Sequence, residues 1–454
     1  MNTLRLTLLV LIVNLLSCTT RAPESTTNQR MAIRQEMEKD LEQGLLRLWY
    51  PKALDREHGG YLSAFSADFQ PTGDQDKMIV SQSRHLWNNA KAMLMFPDDQ
   101  IYVESARHGF EFLRDVMWDK TFGGFHTLVS RDGTPKSNAD EEKSAYGNSF
   151  GIYGLAAYYA ASRDTSALNL AKKAFMWLEK NSHDAKYNGY FQHMTRSGSV
   201  IARDANTPST AETGYKDQNS SIHLLEAFTE LYQVWPDPLL KERLHEMLLL
   251  IRDTIVQDEH YLGLFFTPDW KPVSYRDSAR DVIEKHYYLD HVSYGHDVET
   301  AYLMLEASHV LGQSHDSATH RIAKKMVDHS LDYGWDGDTG GFYDAGYYFA
   351  DDVTPTVVKD TKNWWTQAEG LNTLLMMSGL YPDDERKYFD KFETLWKYTD
   401  TYLVDHERGE WYSGGIDREP DAKNGMKGHI WKAAYHQVRA LMNCIARLKK
   451  EEVD

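Results

Sequence analysis

The residues with the clearest chemical potential lie in Tyr294-Gly295-His296-Asp297-Val298-Glu299, which opens an apolar run over 300–311. On a helix, positions three apart share a face, so this spacing sets His296 beside Glu299. A carboxylate next to an imidazole fixes its tautomer and raises its basicity, which suits a proton carrier near neutral pH. A lone His at a helix start can also be a cap or a core residue, but His223 and His436 stand at comparable places further along the chain. Metal binding is the rival use of three histidines. It usually shows closely spaced ligands such as H-E-x-x-H, whereas here the order is His-x-x-Glu with the other two histidines remote. The expectation is therefore acid–base work with no metal. No phosphate-binding or dinucleotide glycine pattern follows a strand, and no nucleophile elbow stands out.

These groups need a scaffold that gathers distant residues, and the sequence supplies a repeat. A Gly/aromatic segment, usually flanked by Asp and followed by a second turn, recurs six times. The copies are His58-Gly59-Gly60-Tyr61, Phe122-Gly123-Gly124-Phe125, Tyr187-Asn188-Gly189-Tyr190-Phe191, Tyr261-Leu262-Gly263-Leu264-Phe265, Thr339-Gly340-Gly341-Phe342 and Arg408-Gly409-Glu410-Trp411-Tyr412. The spacing, roughly 64 to 78 residues, suits two helices plus a hairpin. Between the hairpins, helical periodicity predicts twelve helices, with outer members such as 31–50 and 101–117 and inner ones such as 293–311 and 428–449. Six helix pairs closed in a ring make an all-α (α/α)6 barrel with short β-hairpins between pairs, in one domain over 31–450.

The second helix of each pair carries unusual polar residues near its start: Arg84 with His85 and Trp87; Tyr146 with Asn148; Asn219 with His223; His296 with Glu299; Trp364 and Trp365 with Gln367 and Glu369; Trp431 and Lys432 with Tyr435 and His436. If six such starts converge, they build one pocket with polar groups on apolar walls.

Composition narrows the ligand. The 454 residues carry a formal net charge of -17, with no basic stripe for nucleic acid. Twelve Trp and 27 Tyr offer rings that can stack on sugar C–H faces. At the N-terminus, Arg5 precedes the apolar run 6–16, too short for an ordinary spanning helix. Leu15-Leu16-Ser17-Cys18 resembles a bacterial lipobox, so residues 1–18 read as a lipoprotein signal with Cys18 lipidated and 19–30 as a polar tether. The mature chain keeps Cys18 and Cys444 alone, which leaves no disulfide framework. The expected location is the periplasmic side of a membrane, touched only through the lipid.

The blocks Asn219-Ser220-Ser221-Ile222-His223-Leu224-Leu225-Glu226-Ala227, Gly295-His296-Asp297-Val298-Glu299, Trp364-Trp365-Thr366-Gln367-Ala368-Glu369 and Trp431-Lys432-Ala433-Ala434-Tyr435-His436 resemble signature blocks of the N-acylglucosamine 2-epimerase superfamily. They are most similar to its cellobiose and mannobiose 2-epimerase branch, with the mannose 2-epimerases nearby. The resemblance covers nearly the whole mature chain. It implies an (α/α)6 barrel, no organic cofactor or metal, and a mono- or disaccharide as the small-molecule partner of a monomer or homodimer. It also implies that one His takes the C2 proton of the opened sugar and a second returns it to the opposite face through a cis-enediol. By carry-over, His296 and His436 are the acid/base residues and Glu299 supports His296. His223 and Arg84 stabilise the enediolate, Asn219 holds a hydroxyl, Trp365 and Trp431 are stacking walls and Tyr146 lines the floor; Glu369 is either the partner of a catalytic group at the substrate site or a structural acid. Asp217 and Gln218 depart from the residues those disaccharide epimerases show before the Asn.

Three other readings share parts of this pattern. An aldose–ketose isomerase uses the same enediol but returns the proton to C1. An inverting glycoside hydrolase on the same barrel would draft two of Glu299, Glu369 and Asp217. A non-catalytic sugar-binding lipoprotein would need the aromatics but no paired proton carriers.

Overall fold

The computed structural model describes residues 24–136, 143–350 and 352–453. Thirteen helices follow in order: α1 Glu24–Lys39, α2 Ile79–Met95, α3 Gln100–Phe112, α4 Ala145–Ser162, α5 Thr165–Asn181, α6 Gln218–Val234, α7 Pro238–Leu250, α8 Arg280–Asp290, α9 Tyr294–Val310, α10 Ser317–Tyr333, α11 Trp364–Leu380, α12 Tyr388–Tyr402 and α13 Tyr435–Val453. Helices α2, α4, α6, α9, α11 and α13 form an inner ring in which each packs on the next and α13 closes on α2. The other six barrel helices sit outside, so the (α/α)6 architecture expected from the repeat is present. Inner helices are buried on nearly every side, which is why α4 reads AYGNSFGIYGLAAYYAAS, apolar all round. Its Gly154 lies against the Ser83 carbonyl, where a Cβ would sit 2.8 Å from the oxygen, so α2 and α4 touch through backbone.

Differences from the expected elements have local causes. Helix α8 is a thirteenth helix, inserted before α9 and not anticipated. The helix expected over 428–449 starts only at Tyr435. The preceding stretch is held open where Gly428 bridges Phe65 and the buried Lys432 ammonium binds Glu410 at 2.8 Å. The signal segment, Cys18 and residues 19–23 of the expected tether lie outside the described residues, while 24–30 belong to α1. Among the described residues no helix is long and apolar enough to cross a membrane.

The six glycine turns each close with one antiparallel bridge: Leu54 to Tyr61, Trp118 to Phe125, His183 to Tyr190, Val256 to Leu262, Trp335 to Phe342 and Val404 to Trp411. Gly124 shows why glycine is needed: its φ is +71°, and a Cβ would lie 2.8 Å from the Trp177 ring. Two-residue ladders then join successive repeats. Lys77–Met78 pairs with Leu128–Val129, Lys143–Ser144 with His193–Met194, and Lys216–Asp217 with Phe265–Phe266. The first strand of each pair leads directly into an inner helix, so the pairing fixes where that helix begins.

A buried ion pair locks most of these junctions. Lys77, Lys143, Lys216, Lys362 and Lys427 reach Asp55, Asp119, Asp184, Asp336 and Asp405 at 2.8–3.0 Å, and every ammonium is essentially inaccessible. Each Asp also accepts backbone N–H groups of its own glycine turn. In the fourth repeat Gln257 and Val292 occupy these places, so both charges are lost together. Breaking one partner of a buried pair costs about 3–5 kcal/mol, whereas replacing both can be neutral. Lys216→Met should therefore lower unfolding free energy by that amount in urea titration, and adding Asp184→Asn should restore much of the loss.

Candidate active site

The starts of the six inner helices meet in one cup, and the side chains singled out in the sequence are largely there. Trp365, second residue of α11, is flanked by two imidazoles: its ring centroid is 4.7 Å from that of His296 and 5.9 Å from that of His436. His296 and Trp365 pack closely together here, and both are only partly buried. Gly295 makes this possible, because a Cβ there would come within 2.6 Å of the Trp365 indole.

His223 packs beside Tyr146 and Phe150, with centroids 5.3 and 4.7 Å away. The Arg84 guanidinium is sandwiched between Phe150 and Tyr435, 4.5 and 5.0 Å from their rings, and donates to the Tyr146 hydroxyl at 3.3 Å. Burial pushes the Tyr146 phenol up, with Arg84 and Asn219 drawing it back. Tyr146, Asn219, Arg84 and His223 thus form one contiguous polar group.

Beneath the cup lies a hub that sequence reading missed. Arg439, on α13 and 1% exposed, binds three buried carboxylates. It contacts Glu226, reaches Glu299 at 2.5 Å and Glu369 at 2.7 Å, and donates to the Tyr435 hydroxyl at 2.8 Å. The ligand atoms of Glu299, Glu369 and His436 lie within 4.8 Å of one another, a spacing that could hold a cation. Arg439 brings the positive charge there. Burial pushes the Glu226 carboxyl up, but Arg439, His223 and Tyr435 together hold it well below the usual carboxylate range.

The hub reassigns the carboxylate partners. The expected Glu299–His296 pair does not form: Glu299 is bonded to Arg439, and His296 Nδ1 lies 2.7 Å from the Ser293 hydroxyl. The i, i+3 rule succeeds instead at His223, whose Nδ1 is 2.8 Å from Glu226. His436 Nδ1 meets Glu369 at 2.7 Å across the ring. An ionised carboxylate only accepts, so it selects the Nδ1–H tautomer and leaves Nε2 of His223 and of His436 for a ligand. The other correction concerns Trp431. Its side chain is 53% exposed, and what reaches inward is its carbonyl, which accepts from Arg84 at 3.4 Å. It lies at the rim because it sits in the tight turn closed by the His429–Lys432 bridge, before α13 begins.

Burial lowers His296 to about 3, with His223, His291 and His436 adding to the shift, and depresses His436 well below its ordinary value, with Arg84 adding to it. Both imidazoles therefore rest neutral at pH 7, below the near-neutral poise expected for them. Burial likewise lowers His85 to about 3 and His291 and His329 to about 4. Their unfolded forms bind protons from about pH 6.5 downward while the folded forms do not, so the unfolded chain holds more protons in that window. Stability should thus fall as pH drops from about 6.5 towards 4, by up to about 1.4 kcal/mol per pH unit for each such ring. Proton uptake on urea unfolding at pH 5 checks the sign.

The six-pair helical ring thus gathers three imidazoles, a guanidinium and aromatic rings at the starts of its inner helices. The N-acylglucosamine 2-epimerase (GlcNAc 2-epimerase) profile matches residues 59–440, and the chain belongs to that family of epimerase and isomerase enzymes. It is 29% identical over 413 residues to the cellobiose 2-epimerase of Bacteroides fragilis, spanning 90% of this chain and 97% of that protein. It is 24% identical over 407 residues to the D-mannose isomerase of Marinomonas mediterranea, covering 89% and 95% of the two chains. The solved cellobiose 2-epimerase of Spirochaeta thermophila superposes with a TM-score of 0.77 at 28% identity, covering 94% of this chain and 99% of that one.

Proposed function

We propose that this protein interconverts the gluco and manno configurations at C2 of a reducing sugar, with cellobiose, mannobiose and free mannose or glucose as candidate substrates. The observation that carries the reading is that His296 and His436 both pack against one indole, that of Trp365, with centroids 4.7 and 5.9 Å from it. The sugar first opens to its aldehyde. A neutral imidazole then takes the C2 proton, the C–H electron pair becomes the C1–C2 double bond, and O1 gains the negative charge. Arg84 and Tyr146 supply N–H and O–H donors for that charge, each well-placed donor being worth about 3 kcal/mol in such a role, and His223 joins them through Nε2–H only as an imidazolium, since its Nδ1–H is given to Glu226. The other imidazole, neutral at rest, takes a proton from solvent and as imidazolium delivers it to the opposite face of C2, while the first ring releases the abstracted proton to solvent, so both rings end the cycle neutral.

Three features support this over hydrolysis. Glu299 and Glu369 are both bound to Arg439, and Asp217 caps α6 through Ser220. None stands free as a general acid for a glycosidic bond. Isomerisation differs only in the carbon that receives the proton, and the family includes D-mannose isomerases. Incubation with cellobiose, mannobiose, mannose and N-acetylglucosamine in deuterium oxide separates these outcomes by NMR. Deuterium at C2 of an epimer is expected. A ketose product would convert the reading to isomerase, and monosaccharides released from a disaccharide would convert it to hydrolase. We also propose export as a lipoprotein, supported by the apolar run 6–16 and Cys18. Cys18→Ser should abolish incorporation of labelled palmitate.

A further inference from the structure

Ser293 occupies the residue just before α9, the N-cap position where a short polar side chain normally accepts an N–H of the first turn. At the corresponding places Ser144 accepts from Gly147, Asp217 from Ser220 and Asn363 from Thr366, at 3.0, 2.6 and 3.1 Å. Ser293 makes no such cap. Its hydroxyl is turned instead onto the His296 side chain, 2.7 Å from Nδ1. The helix has given up its cap in favour of a contact to a site imidazole.

The backbone around this serine is fixed. Val292–Ser293 is the edge of a sheet completed by Ala345–Tyr347 and Thr356–Lys359, the one three-stranded sheet among the described residues, and Ser293 is 5% exposed. The hydroxyl therefore has a firm base, while the Trp365 indole bounds a face of the same imidazole. These two restraints leave Nε2 of His296 for the cup.

We propose that Ser293 is a positioning residue for His296, orienting that ring without a carboxylate and so making the two proton carriers unequal. The role assigned to the ring rests on the epimerase reading above. His436 is anchored by Glu369, which accepts Nδ1–H and stabilises the positive ring that forms on proton uptake. A serine hydroxyl carries no charge and can donate or accept, so it holds the His296 ring in either tautomer and lends its imidazolium far less support. The two rings are then oriented by groups of different charge, a carboxylate for His436 and a hydroxyl for His296.

The test uses the full-length protein and the Ser293→Ala and Ser293→Thr variants, with cellobiose and mannose as substrates. Removing a hydrogen-bonded orienting partner commonly costs about 10- to 100-fold in activity. Ser293→Ala should lose kcat on that scale with KM changed less than about threefold, and Ser293→Thr, which keeps the hydroxyl, should recover most of it. In ligand-free protein labelled with ¹⁵N-histidine, the His296 Nδ1 resonance should move in Ser293→Ala and return in Ser293→Thr. Wild-type kcat in Ser293→Ala, or an unmoved Nδ1 resonance, overturns the proposal. A Thr variant as inactive as the Ala variant, with KM raised alike, also overturns it by marking a merely structural role. If the wild type epimerises no sugar, the epimerase reading falls, while the resonance still decides whether Ser293 positions the ring.

Discussion

His436→Ala is expected to lose epimerisation by about 10³-fold or more, the upper range for a positioned acid–base group, while the fold stays intact. Glu369 keeps its bond to Arg439 when the imidazole is removed, so no bare carboxylate is left buried. The melting temperature should move little. His296→Ala should behave alike, because its side chain bonds the neutral Ser293 hydroxyl and removing it strands no buried charge. The two variants should nevertheless differ in what they retain. If each imidazole serves one face of C2, each single variant still exchanges the C2 proton of one epimer with deuterium oxide, and the two should exchange opposite epimers. Measuring C2 deuteration in recovered glucose-type and mannose-type sugar decides it. Exchange of the same epimer by both variants would rule out two opposed proton carriers, and near-normal turnover in either would remove that residue from the chemistry.

Arg439→Met should be the most damaging single change to the scaffold of the site. It removes the cation among Glu226, Glu299 and Glu369, each at most 5% exposed. Truncating one member of such a buried network commonly costs about 3–5 kcal/mol, because the charges left behind are neither paired nor hydrated. The loss should appear in urea unfolding. Activity should fall as well, since Glu226 and Glu369 hold His223 and His436 by their Nδ1 atoms. Arg439→Lys is the informative companion. It keeps the charge but lacks the planar fork that serves several oxygens at once, so it should regain much of the stability and less of the activity. Full activity in Arg439→Lys would show that charge alone, not the fork, aligns the imidazoles.

Much of this fold was legible because its determinants are local. The glycine turns recur as short motifs, and outer helices such as α10 and α12 show their periodicity within one stretch of chain. The polar enrichment at the inner helix starts singled out Arg84, Tyr146, His223, His296, Trp365 and His436, and the folded chain brings these side chains together. Helix α8 escaped notice because RDVIEKHYYLD carries mixed polarity and belongs to no repeat. Trp431 was misplaced because the seven residues before α13 favour long-range pairing over helix.

The amino-acid order by itself determined the repeat, the barrel and which side chains would crowd its mouth, since helix and turn propensities act over a few residues. Only the closed ring decided which of those side chains hold one another. Glu299 could pair with the imidazole three residues away or with Arg439, 140 residues further on, and a buried carboxylate is satisfied better by a guanidinium than by a neutral ring. That choice left His296 to Ser293 and gave the carboxylates to His223 and His436. Such competition between near and distant partners is resolved by desolvation in the assembled interior, where an uncompensated charge is too costly to leave.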